Sequence, residues 1–120
     1  MSSAAELIQA ANSFRDLMND NPRIQKLLKR WSPTLHFTAT DDAAARLSLR
    51  IDGGKAGPAE EGHQGRCDLE VLGTAQDLGD MFRGRMNPTQ KYLNGEIRVK
   101  GHQADIIKLD AITMIIWPEE

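Results

Sequence analysis

The chain carries little that could do covalent chemistry or cross a bilayer. Its 120 residues hold a single cysteine, Cys67, so no internal disulfide framework is available and a reducing, cytoplasmic setting is expected. A net charge of −2 and a pI near 5.9 lack the basic surplus of a general nucleic-acid binder, and no nucleic-acid partner is expected. The longest apolar run, Ala111 to Trp117, is broken by Thr113 and falls well short of the roughly eighteen residues a membrane span requires. The N-terminus is polar, with Glu6 early, so no signal peptide is expected. The chain ends Trp117-Pro118-Glu119-Glu120, without a Ser-Lys-Leu peroxisomal address. There is no Gly-x-Ser-x-Gly elbow, Walker loop, dinucleotide glycine fingerprint or His-Glu-x-x-His pair. The expectation is therefore a non-enzymatic protein with no catalytic residue, no metal and no cofactor. Internal repeats and low-complexity tracts are also missing.

What is present is a regular alternation of helix and strand patterns, short enough for one domain over residues 1–120. We divide it into an N-terminal helix, 1–20, and a core, 21–117. Ser2 and Ser3 can cap the first helix, and Leu7, Ala11, Phe14 and Met18 share one face. Asn21-Pro22 restarts a helix as N-cap and first residue, with Ile24, Leu27, Leu28 and Trp31 apolar and Arg23, Lys26, Lys29 and Arg30 wet. From Thr34 to Thr40 the period becomes two, with Leu35, Phe37 and Ala39 on one side. Leu47, Leu49 and Ile51 repeat that pattern, and so do Cys67, Leu69 and Val71. Between the last two strands, Lys55 to Gly65 reads as an exposed, mobile loop. Each strand has one apolar face, which predicts an α+β fold. We expect a mixed, mainly antiparallel sheet of about five strands with helices on its greasy side.

The stretch from Gly73 to Ile116 is the most informative. Thr74 and Asp77 form a capping pair for a helix carrying Leu78, Met81 and Phe82 on one face, and Gly84 suits its end. Asn87-Pro88 opens a short helix with Tyr92 and Leu93, ended by Asn94-Gly95. Ile97 and Val99 then alternate with Glu96, Arg98 and Lys100 as a strand, before an apolar helix from about Gln103 to Trp117. This order resembles the sterol carrier protein 2 family of lipid-transfer domains. Gly84, Met86, Asn87, Pro88, Gly95, Ile97, Val99, Lys100, Gly101, Lys108 and Leu109 carry the resemblance. It is close over about a third of the chain and looser, by element order, from Asn21 to Trp117. His102 stands where that family usually has a small or acidic residue. The resemblance implies an apolar tunnel between the sheet and its helices.

The last helix is apolar nearly all round in its second half, so it is either sandwiched in the core or has a side left for a ligand or partner. With the resemblance, this surplus points to binding and transfer of a sterol, fatty acid, acyl-CoA or other lipid. The expected lining is Leu78, Met81, Phe82, Met86, Tyr92, Leu93, Ile97, Val99, Ile107, Ile112, Met114 and Ile115. The alternative is an accessory subunit whose apolar C-terminal helix docks on a partner or on a second copy of the chain.

Other features have plainer accounts. His36, His63 and His102 read as solvated or locally bonded, with His102 near a tunnel mouth as the functional reading. Cys67 reads as an inert thiol buried on a strand face. The methionines at 81, 86 and 114 suit either a core or a lipid cavity. Arg83, Arg85, Lys91, Arg98 and Lys100 read as a solvated face, or as a patch that meets an anionic headgroup or membrane surface. Asp41/Asp42 and Glu60/Glu61 read as solvated surface.

Overall fold

A computed structural model describes residues 4–42, 44–63, 65–83 and 88–116. Its N-terminal helix, α1 (Ala4–Asp20), is followed at once by α2 (Pro22–Leu28). Asn21 joins them as the expected cap, its Oδ1 accepting from the N–H groups of Arg23 at 2.9 Å and Ile24 at 3.4 Å. Leu7, Ala11, Phe14 and Met18 are all buried. They turn α1 onto the sheet and onto α3 (Ala75–Phe82). Phe14 of α1 and Phe37 of the sheet both meet Phe82 of α3, at ring-centroid distances of 5.5 and 4.9 Å. This tilted aromatic cluster ties the two helices to the sheet.

Among the described residues six strands make the sheet: β1 (Thr34–Ala39), β2 (Arg46–Asp52), β3 (Lys55–Ala56), β4 (Glu60–Glu61), β5 (Leu69–Gly73) and β6 (Arg98–Gly101). The order is β3-β2-β1-β5-β6, with β4 also pairing β2. β1 and β5 run parallel, in the register Leu35 to Leu69 and Phe37 to Val71, and every other pairing is antiparallel. The sheet is thus mixed and mainly antiparallel, as expected.

The expected mobile loop at 55–65 is instead pinned, and it supplies two of the six strands. Asn19 of α1 acts as a ladder partner for Ala56. Its Oδ1 accepts from the Ala56 N–H and its Nδ2 donates to the Ala56 carbonyl, both at 2.9 Å. Asn12 Oδ1 takes the Ala59 N–H at 2.8 Å. These partners come from another helix more than thirty residues away, which a local reading of small and charged residues cannot register.

β4 lies beside β2 and β5 lies beyond β1, so the chain between them crosses two strands. It does so over the face away from the helices, where Ser48 Oγ donates to the Gly62 carbonyl at 2.6 Å. This crossing buries His36 and Ser48, at 5% and 4% exposure. Of the two readings offered for His36, solvated or locally bonded, the second applies: it is buried with the His63 ring stacked on it. Cys67 is corrected: β5 begins at Leu69, and the thiol lies exposed just before it. Partial burial and the carboxylates of Glu70 and Asp68 still push its pKa up, so it stays a protonated thiol.

The second half closes the layer. Thr74 Oγ1 caps α3 by accepting from the Asp77 N–H at 3.1 Å. The Ala75 N–H is taken by Asp41 Oδ1, at 2.9 Å, from the turn after β1. Asp41 is thus a cap for a distant helix and not free surface. The short helix α4 (Pro88–Leu93) ends as its Asn-Gly predicted. Gly95 has φ +79, its N–H reaches the Tyr92 carbonyl, and the next N–H reaches the Lys91 carbonyl. That is a Schellman ending. Helix α5 (Gln103–Ile116) follows β6 and packs against both β6 and α2. The expected caps at Ser2, Ser3, Gly84 and Asn87 lie outside the described residues.

Candidate functional site

The α2–α5 junction is held at one end by a single tryptophan. Trp31, just past α2, is 6% exposed. Its Nε1–H donates to Asp105 Oδ1 in the first turn of α5 at 2.8 Å. Lys108, one turn along, holds its Nζ 5.6 Å from the Trp31 ring centroid. Asp105 is an acid in the first turn of its helix, where the backbone dipole favours negative charge.

Beyond this clamp the two helices part. They leave an open groove of about 640 Å³ lined by Leu27 of α2, Ala111 and Ile115 of α5, and the cations Arg23 and Lys26. That volume lies in the range of small-molecule sites. The floor is aliphatic, and charge enters from α2 alone. Arg23, Lys26, Lys29 and Arg30 are all exposed, and no acid occurs between Asn21 and Thr40.

The expected lining residues divide into groups. Leu78, Phe82 and Ile112 are packed into the core with no exposed surface, and Met81 and Ile97 retain 6% and 2%. Val99 is half-buried against that core. Tyr92, Leu93 and Ile107 face outward, at 44%, 71% and 58% exposure. Ile115 is the member that lines the groove. Met86 and the Met114 side chain lie outside what is described.

Of the cations expected to form a solvated face or a headgroup patch, Lys91 is ion-paired. Lys91 Nζ lies 3.6 Å from Asp77 and 3.4 Å from Glu96. The Asp77 charge, then Glu96, raises its pKa. Arg85 is outside the described residues, and Arg83, Arg98 and Lys100 are exposed. The cations at the groove are those of α2. In the sequence they form the wet side of an amphipathic helix. Their one available signal was four cations in eight residues with no acid nearby.

His102 is exposed ahead of α5, where its carbonyl accepts from the N–H groups of Asp105 and Ile106. Among the described residues no group of three His, Cys, Asp or Glu side chains could hold a metal. Likewise, no described helix is long and apolar enough to cross a membrane.

Known proteins share this architecture. The solution structure of the sterol carrier protein domain 2 of Helicoverpa armigera superposes with a TM-score of 0.74 at 14% identity, covering 96% of this chain and 91% of that one. A UbiJ-SCP2 ubiquinone synthesis protein superposes with a TM-score of 0.64 at 17% identity, covering 88% and 94%. In sequence, hydroxysteroid dehydrogenase-like protein 2 of Homo sapiens is 33% identical over 66 residues, 55% of this chain. The chain spans 15% of that relative's length. The homologous protein of Xenopus tropicalis is 23% identical over 88 residues, 73% of this chain and 21% of its own length. A family model described as the SCP-2 sterol transfer family matches residues 11–113. The chain belongs to the SCP-2 sterol transfer family, a family of lipid-binding domains.

Proposed function

We propose that this protein binds one lipid molecule non-enzymatically and carries it between membranes, taking the lipid through the groove between α2 and α5. The observation that carries the reading is that groove: an aliphatic floor of Leu27, Ala111 and Ile115 with Arg23 and Lys26 at its side. Each ligand methylene that becomes fully buried contributes about 0.8 kcal/mol gross, less the cost of ordering and lost freedom. Two cations suffice to orient a polar or anionic head. Leu78, Phe82 and Ile112 are already packed, so an acyl chain that reaches them does so by displacing α5 from the sheet. The low charge of that helix's second half supports such a movement, since no described cation or acid beyond Asp110 has to be desolvated. A cytoplasmic carrier of this kind needs no catalytic group. Thr38 and His63 do meet, but Thr38 gives its proton to Glu70, so His63 does not act on it as a base.

Protein purified without detergent is expected to show a co-purified lipid by native mass spectrometry and to take up a fluorescent fatty acid. Ala111→Trp, which fills the groove, is expected to weaken that uptake about tenfold with the circular dichroism spectrum unchanged. Clean apo protein with no uptake of fatty acid or sterol overturns the reading.

A further inference from the structure

On the sheet face away from the helices, the His63 ring lies on His36, with centroids 4.6 Å apart and planes 13° from parallel. His63 Nε2 is 2.9 Å from Thr38 Oγ1, and Thr38 Oγ1 donates to Glu70 Oε2, also at 2.9 Å. A carboxylate only accepts, so the one proton of Thr38 is committed to Glu70 and His63 Nε2–H donates to Thr38. Nδ1 is then the position at which His63 titrates. The segment bearing His63 is fastened next to it. The Gly62 N–H reaches the Arg46 carbonyl at 2.9 Å, and Ser48 Oγ holds the Gly62 carbonyl at 2.6 Å.

The charged and titratable groups around His63 come from every neighbouring element. They are His36 of β1, Arg46 of β2 and Glu70 of β5, with Glu60 and Glu61 on its own segment. Burial lowers the His63 pKa below its ordinary value, and His36 and Arg46 push the same way. A hydrogen bond to the Phe37 backbone and the Glu70 charge oppose them more weakly.

We propose that the His36–His63 stack is an acid-released latch, which holds Gly62 and His63 against the back of the sheet at neutral pH and lets them go in mild acid. A proton added at Nδ1 places a cation against a second imidazole and a guanidinium at a partly buried position. The fastened form binds the proton less readily than the released one. Its stability is therefore complete above the ordinary histidine value of about 6.5 and is lost as pH falls from there toward the depressed value. Release uncovers His36 and Ser48. Ala59 and β4, held by Asn12 of α1 and by β2, stay in place. This inference is independent of the lipid reading.

Amide hydrogen exchange followed by NMR tests it on the full chain, at about pH 7.5 and about pH 5.5. Protection of the Gly62 amide, corrected for intrinsic exchange, is expected to fall about tenfold in acid. Phe37 and Val71, in the central ladder, are expected to keep theirs. His63→Gln keeps a donor for Thr38 and does not titrate, so its Gly62 protection is expected to be the same at both pH values. Should His63→Gln fail to fold, an NMR titration of the His63 ring in the wild type makes the test. Equal protection of Gly62 in the wild type at both pH values overturns the proposal. So does a His63 that titrates at or above its ordinary value, or a glutamine variant that opens in acid as the wild type does.

Discussion

At the scale of the residue, Trp31 does more than fill space. Its indole N–H is the hydrogen-bond donor that fixes the start of α5, and its face carries Lys108. Trp31→Phe keeps an aromatic ring and removes the donor to a charged acceptor. Urea denaturation is expected to show a loss of about 2 kcal/mol, and fatty-acid release is expected to quicken as α5 loosens. Residue-level reading of the sequence succeeded where the cause was local. Asn21, Pro22 and Thr74 cap helices because of what lies two or three positions ahead, and they sit where their spacing placed them. It failed, or left two readings open, where the environment arrives from elsewhere. Asp41 caps a helix 34 residues away, and His36 is buried by a segment that crosses over it. Cys67 alternates with Leu69 and Val71 on paper, yet β5 starts after it, with Asp68 Oδ2 taking the Thr34 N–H at 2.8 Å.

Elements show the same division. The face of α1 was legible because Leu7, Ala11, Phe14 and Met18 repeat at helical spacing and one continuous core receives them. The short strands β3 and β4 were not legible, because two residues carry no period. For α5, composition showed that it is apolar almost throughout, but not which side meets α2. Trp31 and Asp105 decide that, and so place the groove between Leu27 and Ile115. At the join between β6 and α5, Gly101 has φ +155. A Cβ there would lie 2.6 Å from the Asp68 carbonyl oxygen and 2.6 Å from Leu69 Cδ2. A backbone oxygen cannot swing aside as a side-chain tip can. Gly101→Ala is expected to cost about 3 kcal/mol and to peel β6 from β5. Loss of amide protection at Val71, whose strand partner is Val99, would report it.

Over the whole molecule, charge is unevenly distributed. The chain is net negative, while Arg23 and Lys26 stand at the groove and Lys29 and Arg30 follow them, all exposed and with no acid between them. Each Lys or Arg near an anionic bilayer is worth about 1 kcal/mol, within a Debye length. Transfer of a bound fluorescent lipid is therefore expected to be faster to vesicles containing anionic lipid than to neutral ones. The difference is expected to shrink as salt rises and to vanish when Arg23, Lys26, Lys29 and Arg30 are all glutamine. Equal rates to both vesicles in low salt would remove this surface from the account. The parallel seam between β1 and β5 has its own consequence for how the protein is made. Its two strands are separated by β2, β3, β4 and the crossing strap. While the chain emerges from the ribosome, one whole flank of β1 waits with its peptide groups unanswered until residues 69–73 arrive. A chain released early, anywhere before that point, is a sticky half-sheet, so quality control has most to do in the middle of synthesis.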